Sequence, residues 1–305
     1  MNSDWTGELA ALATALCFAF GSTLFTLAGR EIGAQLVNRT RLFVAVVLVI
    51  ILHWLTLGSF LPLGVASDAV FWLALSGLLG LAAGDAFLMQ AFVLVGPRLS
   101  MLMMATSPAF SVIMARVLLD ESLKESQIAG IVITLCGLAL VVTDTRGQSG
   151  VLSSEPDNRR LYIIGLLCGL GGSMGQAGGT VLSSMGLRGG IEPLSAVLIR
   201  LSTAMILVWL LTIVRGQFLP SFTRLRTHPR GLLRLFGGTV MGPVLGVWLS
   251  LIAVQRTAVG ITSTLIALTP IFLIPISYFV FKETVTRRAI LGTLIAFAGT
   301  VMLFT

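Results

Sequence analysis

The chain is organised as long apolar stretches separated by short polar connections. An α-helix needs about 20 apolar residues to cross a hydrocarbon core of about 30 Å. The stretches are continuously apolar, whereas the strands of a membrane barrel alternate apolar with polar positions. We therefore predict an all-α integral membrane protein with ten transmembrane helices, at residues 7–28, 36–57, 69–94, 99–119, 127–143, 161–184, 193–214, 231–254, 260–281 and 288–305.

The second half of the chain repeats the first. Residues 80–143 align with residues 242–305 without a gap, at a constant offset of 162. The identities include Gly80/Gly242, Gly84/Gly246, Ala105/Ala267, Pro108/Pro270, Glu121/Glu283, Gly130/Gly292 and Gly137/Gly299. We predict a first five-helix repeat over 1–143, a linker over 144–160 and a second repeat over 161–305. Because five is an odd number, the second repeat must enter the membrane upside down, as in many transporters.

Composition and charge agree with this topology. With 56% hydrophobic and 11% charged residues, the chain is not an ordinary soluble domain. A net charge of +7 would suggest a nucleic-acid partner in a soluble protein. Here the basic residues lie between the apolar segments, so no nucleic-acid partner is predicted. Fifteen Lys or Arg residues lie in or beside alternate connections, and three lie in the other set. We expect the protein in the cell (inner) membrane. The positive-inside rule then places the basic connections in the cytoplasm and both termini on the outside. The basic connections would also contact anionic lipid head groups.

Asp85 is an acidic residue near the middle of the third predicted helix. An unpaired ionised side chain at that depth costs at least about 2.5–3.5 kcal/mol. Its repeat counterpart is Val247, so the duplication does not explain it. Two interpretations stay open: Asp85 is a substrate or proton site, or it belongs to a structural ion pair.

Two arginines are related by the repeat. Arg41 and Arg200 each begin an apolar run and are each followed by leucine. Arg41 is expected to lie close enough to the membrane surface for its side chain to extend to water. Arg200 lies seven residues past Pro193, about 10 Å into the membrane. It either anchors the helix or binds an anionic group.

Neutral polar residues complete the candidate site. Gln90, Thr106, Gln176, Trp248 and Thr269 suit a central pocket, although hydrogen bonds between helices explain them equally well. Together with Asp85 and Arg200 they form the predicted substrate site. His53 and His228 are interpreted as interfacial or solvated. Three cysteines without a CxxC pattern indicate neither a metal site nor a disulfide framework, and no cofactor is predicted.

Helix-end signals recur in both repeats. Ser122 to Glu125 has the spacing of a capping box, which would begin the fifth helix. Glu121 and Glu283 would close the fourth and ninth helices beside the N-terminus of the next one, where a carboxylate is favoured.

Two segments resemble the fourth helix of an EamA domain. They run from Ser100 through Thr106-Ser107-Pro108 to Glu121, and from Thr262 through Leu268-Thr269-Pro270 to Glu283. Each is followed by a helix with paired glycines, and Arg41 and Arg200 fall where the family tends to carry an arginine. The resemblance implies a drug/metabolite transporter with ten helices and a cavity lined by both repeats. The family is usually drawn with both termini in the cytoplasm, opposite to the orientation that the charges predict.

The resemblance implies a secondary transporter, an exporter or exchanger of small organic solutes such as amino acids or metabolites, working by alternating access. The alternatives are a passive channel, which would show a ring of like polar groups at symmetric positions, and an intramembrane enzyme, which would need a nucleophile–base pair or a metal cluster. The expected partners are a small-molecule substrate and membrane lipid. Protons are a further candidate partner. The protein is expected to be a monomer or a homodimer.

Overall fold

The structure is a computed structural model that describes residues 5–62, 64–119, 125–143, 156–187, 191–256, 265–282 and 285–302. The described part of the first half is helical. Its elements are α1 (Thr6–Ile32), α2 (Ala34–Leu57), α3 (Ser67–Ser76), a π-helical segment π1 (Gly77–Gly84), α4 (Asp85–Met104), α5 (Ser107–Leu119) and α6 (Glu125–Val142).

The described part of the second half follows the same order. Its elements are α7 (Pro156–Leu187), α8 (Pro193–Val214), a short helix α9 (Phe218–Thr227), α10 (Pro229–Thr239), π2 (Val240–Gly246), α11 (Val247–Arg256), α12 (Thr269–Phe281) and α13 (Arg287–Met302). Among the described residues, six helical runs are long and apolar enough to cross a membrane: Thr6–Ile32, Ala34–Leu57, Ser67–Met104, Arg159–Leu187, Pro193–Val214 and Pro229–Ser250.

The run from Ser67 to Met104 is bent in its second half. Gly96 has φ 80° and ψ 168°, a backbone conformation that favours glycine, and Pro97 follows it. This break separates the third predicted helix from the fourth.

The fourth predicted helix is itself interrupted at residues 105–106. Pro108 cannot continue a helix, because its ring would clash with the carbonyl four residues earlier. The Thr106 hydroxyl donates to the carbonyl oxygen of Met103 at 2.6 Å. The same turn recurs at residues 267–268, ahead of Pro270, where the Thr269 hydroxyl donates to the carbonyl oxygen of Ile266 at 2.7 Å.

The two π-helical segments occupy the same position in each repeat. π1 ends at Gly84 and π2 ends at Gly246, which is its counterpart at the offset of 162. Segments of π-helix are uncommon and often lie at functional sites. Here each segment immediately precedes one member of the pair Asp85/Val247.

The last described helices of the two halves, α6 and α13, form a seam of backbone against backbone. A Cβ atom on Gly137 would overlap the backbone of Ala296 and Gly292. A Cβ atom on Gly299 would overlap the backbone of Thr134 and Gly130. Adding 162 to Gly137 gives Gly299, and subtracting 162 from Ala296 and Gly292 gives Thr134 and Gly130. The two contacts are therefore exchanged by the repeat, which has the form of a local twofold.

Small residues also join α7 to π1. A Cβ on Gly175 would lie 2.6 Å from the Gly84 Cα, and one on Gly179 would lie 2.9 Å from the Gly80 Cα. In the equivalent contact between the halves, a Cβ on Gly21 of α1 would lie 3.2 Å from the Gly242 Cα in π2. Such close approach suits a bilayer, where apolar burial does not drive helix association.

Two sequence expectations differ from the structure. α7 begins at Pro156, so the predicted linker 144–160 extends too far by five residues. Residues 144–155 lie outside the described part of the chain. The same holds for Glu121, Glu283 and residues 122–124 of the capping box. His53, which was expected to be interfacial or solvated, is only 1% exposed. Its ring nitrogens lie 2.6 Å from the Ser59 carbonyl oxygen and 2.9 Å from the Ser195 hydroxyl. His228 is exposed, as expected.

Candidate functional site

A cavity of about 350 Å³ lies between the two repeats, and we call it the central cavity. α1, α4 and α8 each present one face to it, with residues spaced three, four and seven apart. The lining residues are Phe18, Gly21, Ser22 and Phe25 of α1, Arg41 of α2, Leu81 of π1, Asp85, Leu88, Met89, Phe92, Met101 and Met104 of α4, Gln176 of α7, Val197, Arg200 and Leu201 of α8, Gly242 and Pro243 of π2, and Val247 of α11.

Repeat counterparts face each other across this space. The pairs Leu81/Pro243 and Asp85/Val247 both line it, and so do Arg41 and Arg200. Arg41 is the eighth residue of α2 counted from Ala34, and Arg200 is the eighth residue of α8 counted from Pro193. The cavity is therefore shared by symmetric positions, but its charges are not symmetric.

Asp85 forms an ion pair with Arg41. The Arg41 Nη2 donates to the Asp85 Oδ2, and the two side chains are 8% and 6% exposed. Arg41 also lies 3.3 Å from the Asn38 Oδ1, and its guanidinium lies over the Phe25 ring at 5.6 Å. A buried pair with such secondary contacts offsets much of the cost of removing both charges from water. Of the two interpretations of Asp85, the structure supports an ion pair.

Arg200 is the third charged residue of the central cavity. Its side chain is partly buried, and its Nε has no hydrogen-bond partner among the described residues. It acts electrostatically on Asp85 without forming a direct ion pair with it in the described part of the chain. Among the described residues, the cavity thus carries two positive charges and one negative charge.

A second cavity of about 560 Å³ adjoins the first and shares Phe18, Met101 and Met104 with it. It is also lined by repeat counterparts: Ala105/Ala267, Ser107/Thr269 and Pro108/Pro270. No charged residue lines it among the described residues. It surrounds the two proline turns rather than the charged residues.

The structure brings together only part of the predicted site. Asp85, Gln176 and Arg200 line the central cavity, and Thr269 lines the second one. Gln90 lines neither cavity, and Trp248 is 45% exposed on α11. Thr106 is fully buried, and its hydroxyl lies 2.8 Å from that of Ser173, so it joins the proline turn to α7.

Arg41 is a charged residue of the central cavity that is absent from the predicted site. The sequence predicts Arg41 near the membrane surface, but its side chain is 8% exposed and is paired with Asp85. The available signal was its repeat counterpart: the deep position of Arg200 implies a similar depth for Arg41. The predicted site also lacks the aromatic lining, which is formed by Phe18, Phe25 and Phe92. The sequence gives no signal for these residues, because they are apolar residues in apolar helices.

The comparisons with known proteins agree with the duplicated architecture. The sequence matches the EamA-like transporter family twice, over residues 5–143 and 163–305. No curated protein matches it. Sixteen solved chains are similar. One of them, titled only "Crystal structure of protein", is 19% identical with a TM-score of 0.54, covering 96% of this chain and 94% of that one. At that identity the likeness concerns the fold alone.

The chain belongs to the EamA-like transporter family, within the drug/metabolite transporter superfamily. It is a multi-pass membrane protein built from two tandem units of this family, with long apolar helices in both.

Proposed function

We propose that the protein is a secondary transporter that carries small organic solutes across the cell (inner) membrane by alternating access. The observation behind this proposal is that both repeats line one cavity, which holds the Arg41–Asp85 ion pair and Arg200. A transporter of inverted repeats binds its substrate at the repeat interface and rocks the repeats around it.

The proposed topology has ten transmembrane helices in two inverted five-helix repeats. It is supported by the recurrence of a π segment and a proline turn at the same offset in both halves. The proposed orientation follows the basic connections, with both termini outside.

The contacts between repeats suit such a movement. α1 packs on π2 and α7 packs on π1 through glycine, where flat surfaces allow backbones to shift against each other. On the side of the basic connections, Arg234 of α10 forms an ion pair with Glu31 at the end of α1. This pair joins one repeat to the other and must separate when that side opens.

The test uses cavity-filling substitutions on one helix. Val197 lines the central cavity, whereas Ile206 of the same helix is 59% exposed on the outer surface. In proteoliposomes screened with amino acids, organic acids, sugars and amines, Val197→Trp should abolish the transport that wild type shows. Ile206→Trp should retain it. Equal activity of the two variants would contradict a substrate path through this cavity.

A further inference from the structure

We infer that the central cavity selects organic monoanions, in particular carboxylates attached to an apolar or aromatic body. This inference rests on the proposed function, because it names the substrate class of the same cavity. It draws on three features of the site: the balance of charges, the free guanidinium and the apolar walls.

The balance of charges favours an anion. Arg41, Asp85 and Arg200, the charged residues in the described lining, leave the cavity with one excess positive charge. A net charge enclosed by apolar walls is costly unless it is compensated. A monoanion brings the occupied cavity to neutrality. A zwitterion leaves the excess unchanged, and a cation doubles it.

Arg200 is the residue at which a bound anion would compensate that excess positive charge. Asp85 is already engaged by Arg41, whereas no ion pair or hydrogen bond is formed by the Arg200 side chain within the described residues. A guanidinium presents a planar fork of donors that matches a carboxylate in a bidentate arrangement. A carboxylate at Arg200 would therefore satisfy both the charge and the donors.

The remaining wall would hold an apolar body. It is formed largely by Phe18, Phe25, Phe92, Met89, Met101 and Met104. Methionine side chains adapt to ligands of varied shape. The volume of about 350 Å³ lies at the lower end of the range for pockets that enclose small organic ligands, about 300–1,000 Å³.

Three probes that share one phenyl ring separate the charge classes. They are 3-phenylpropanoate, phenylalanine and 2-phenylethylammonium, which are anionic, zwitterionic and cationic at neutral pH. Calorimetric titration of the protein in nanodiscs should show the anion binding about tenfold or more tightly than the other two, the scale of a hydrogen bond to a charged group. Octanoate, a monoanion without a ring, should also bind.

Variants then change the cavity charge without changing its walls. Arg200→Gln and Arg41→Gln each remove the excess positive charge, and each should weaken 3-phenylpropanoate binding about tenfold or more. The double variant Arg41→Gln/Asp85→Asn restores the net charge and should recover most of the affinity. Arg200→Lys keeps the charge but loses the fork, and should fall between wild type and Arg200→Gln. The control is Arg226→Gln, on the exposed surface of α9.

The outcomes separate this inference from the proposed function. Preference for the amine or the amino acid, binding of neither monoanion, or a double variant as weak as Arg41→Gln, would overturn the monoanion assignment. Those results would leave the transport test with Val197→Trp and Ile206→Trp untouched. Equal transport by those two variants would remove the cavity itself as the substrate site.

Discussion

The Thr134 hydroxyl of α6 lies 3.5 Å from the carbonyl oxygen of Ala296 in α13. Ala296 is the repeat counterpart of Thr134, 162 residues further along the chain. A residue contacts its own counterpart only where a twofold axis passes nearby. The flanking contacts, Gly137 with Gly292 and Gly299 with Gly130, are exchanged by the same offset. The seam between α6 and α13 thus preserves the duplication in three dimensions.

This seam can be tested by cross-linking. In a variant without Cys17, Cys136 and Cys168, the pair Thr134→Cys/Ala296→Cys should form a disulfide under mild oxidation. A protease site introduced within residues 144–155 would then release two fragments that stay joined until reduction. The control pair Val132→Cys/Leu294→Cys lies on the exposed faces of the same helices, and should not cross-link. Fragments that separate without reduction in the first variant would disprove the seam.

The glycine contact between α7 and π1 predicts opposite effects for two neighbouring substitutions. A Cβ at position 175 meets the Gly84 backbone at 2.6 Å, so Gly175→Ala should destabilise the protein by about 1–3 kcal/mol through overpacking. A Cβ at position 171 meets only the Phe87 ring at 3.5 Å. Gly171→Ala should therefore be neutral, or stabilising by up to about 1 kcal/mol through helix propensity. Thermal unfolding in detergent, monitored as the loss of monodisperse protein, measures the stability change of each variant. The same effect at both positions would contradict this packing.

The ion pair predicts how Asp85→Asn behaves. Removing one partner of a buried pair leaves the other charge uncompensated, which costs about 3–5 kcal/mol. Asp85→Asn should therefore lower the thermal stability markedly, and Arg41→Gln/Asp85→Asn should recover much of the loss. Residual transport by Asp85→Asn should keep the pH dependence of wild type. A stable Asp85→Asn protein that loses this pH dependence would instead identify Asp85 as a proton-coupling site.

The charge distribution predicts the orientation. Residues 215–230 contain Arg215, Arg224, Arg226 and Arg230, and the described helix α9 within them is amphipathic. A cysteine introduced at Arg226, which is exposed, should resist an impermeant thiol reagent in intact cells and react after permeabilisation. Ready labelling from outside would show that the family's usual orientation applies to this chain.

Much of the architecture can be predicted from the sequence, because helix length, apolar continuity and a constant repeat offset are local signals. Gly96-Pro97 marks a helix break in the sequence itself. The π segments cannot be predicted this way, because their hydrogen-bond shift leaves the apolar pattern unchanged. The site was predicted less well for a related reason. Asp85 and Arg200 stand out as charges in apolar helices, but the partner of Asp85 depends on how α2 packs against α4.

The neutral polar residues show most clearly which part of the site the sequence does not predict. Gln176 and Thr106 are both neutral polar residues in apolar segments, yet Gln176 lines the central cavity and Thr106 bonds to Met103 and Ser173. Which side of a helix faces the cavity is decided by tertiary packing, which periodicity does not reveal in helices that are apolar on every face.

The most direct test of alternating access measures the accessibility of a cysteine at Val197, in a background without the native cysteines. In vesicles of defined orientation, a thiol reagent added from either side should label Val197→Cys. Cross-linking Glu31→Cys to Arg234→Cys should fix the repeats together at the position of the native ion pair. Labelling from the side of the basic connections should then stop, labelling from the opposite side should continue, and reduction should restore both. Continued labelling from both sides with the cross-link in place would contradict the account and indicate a channel.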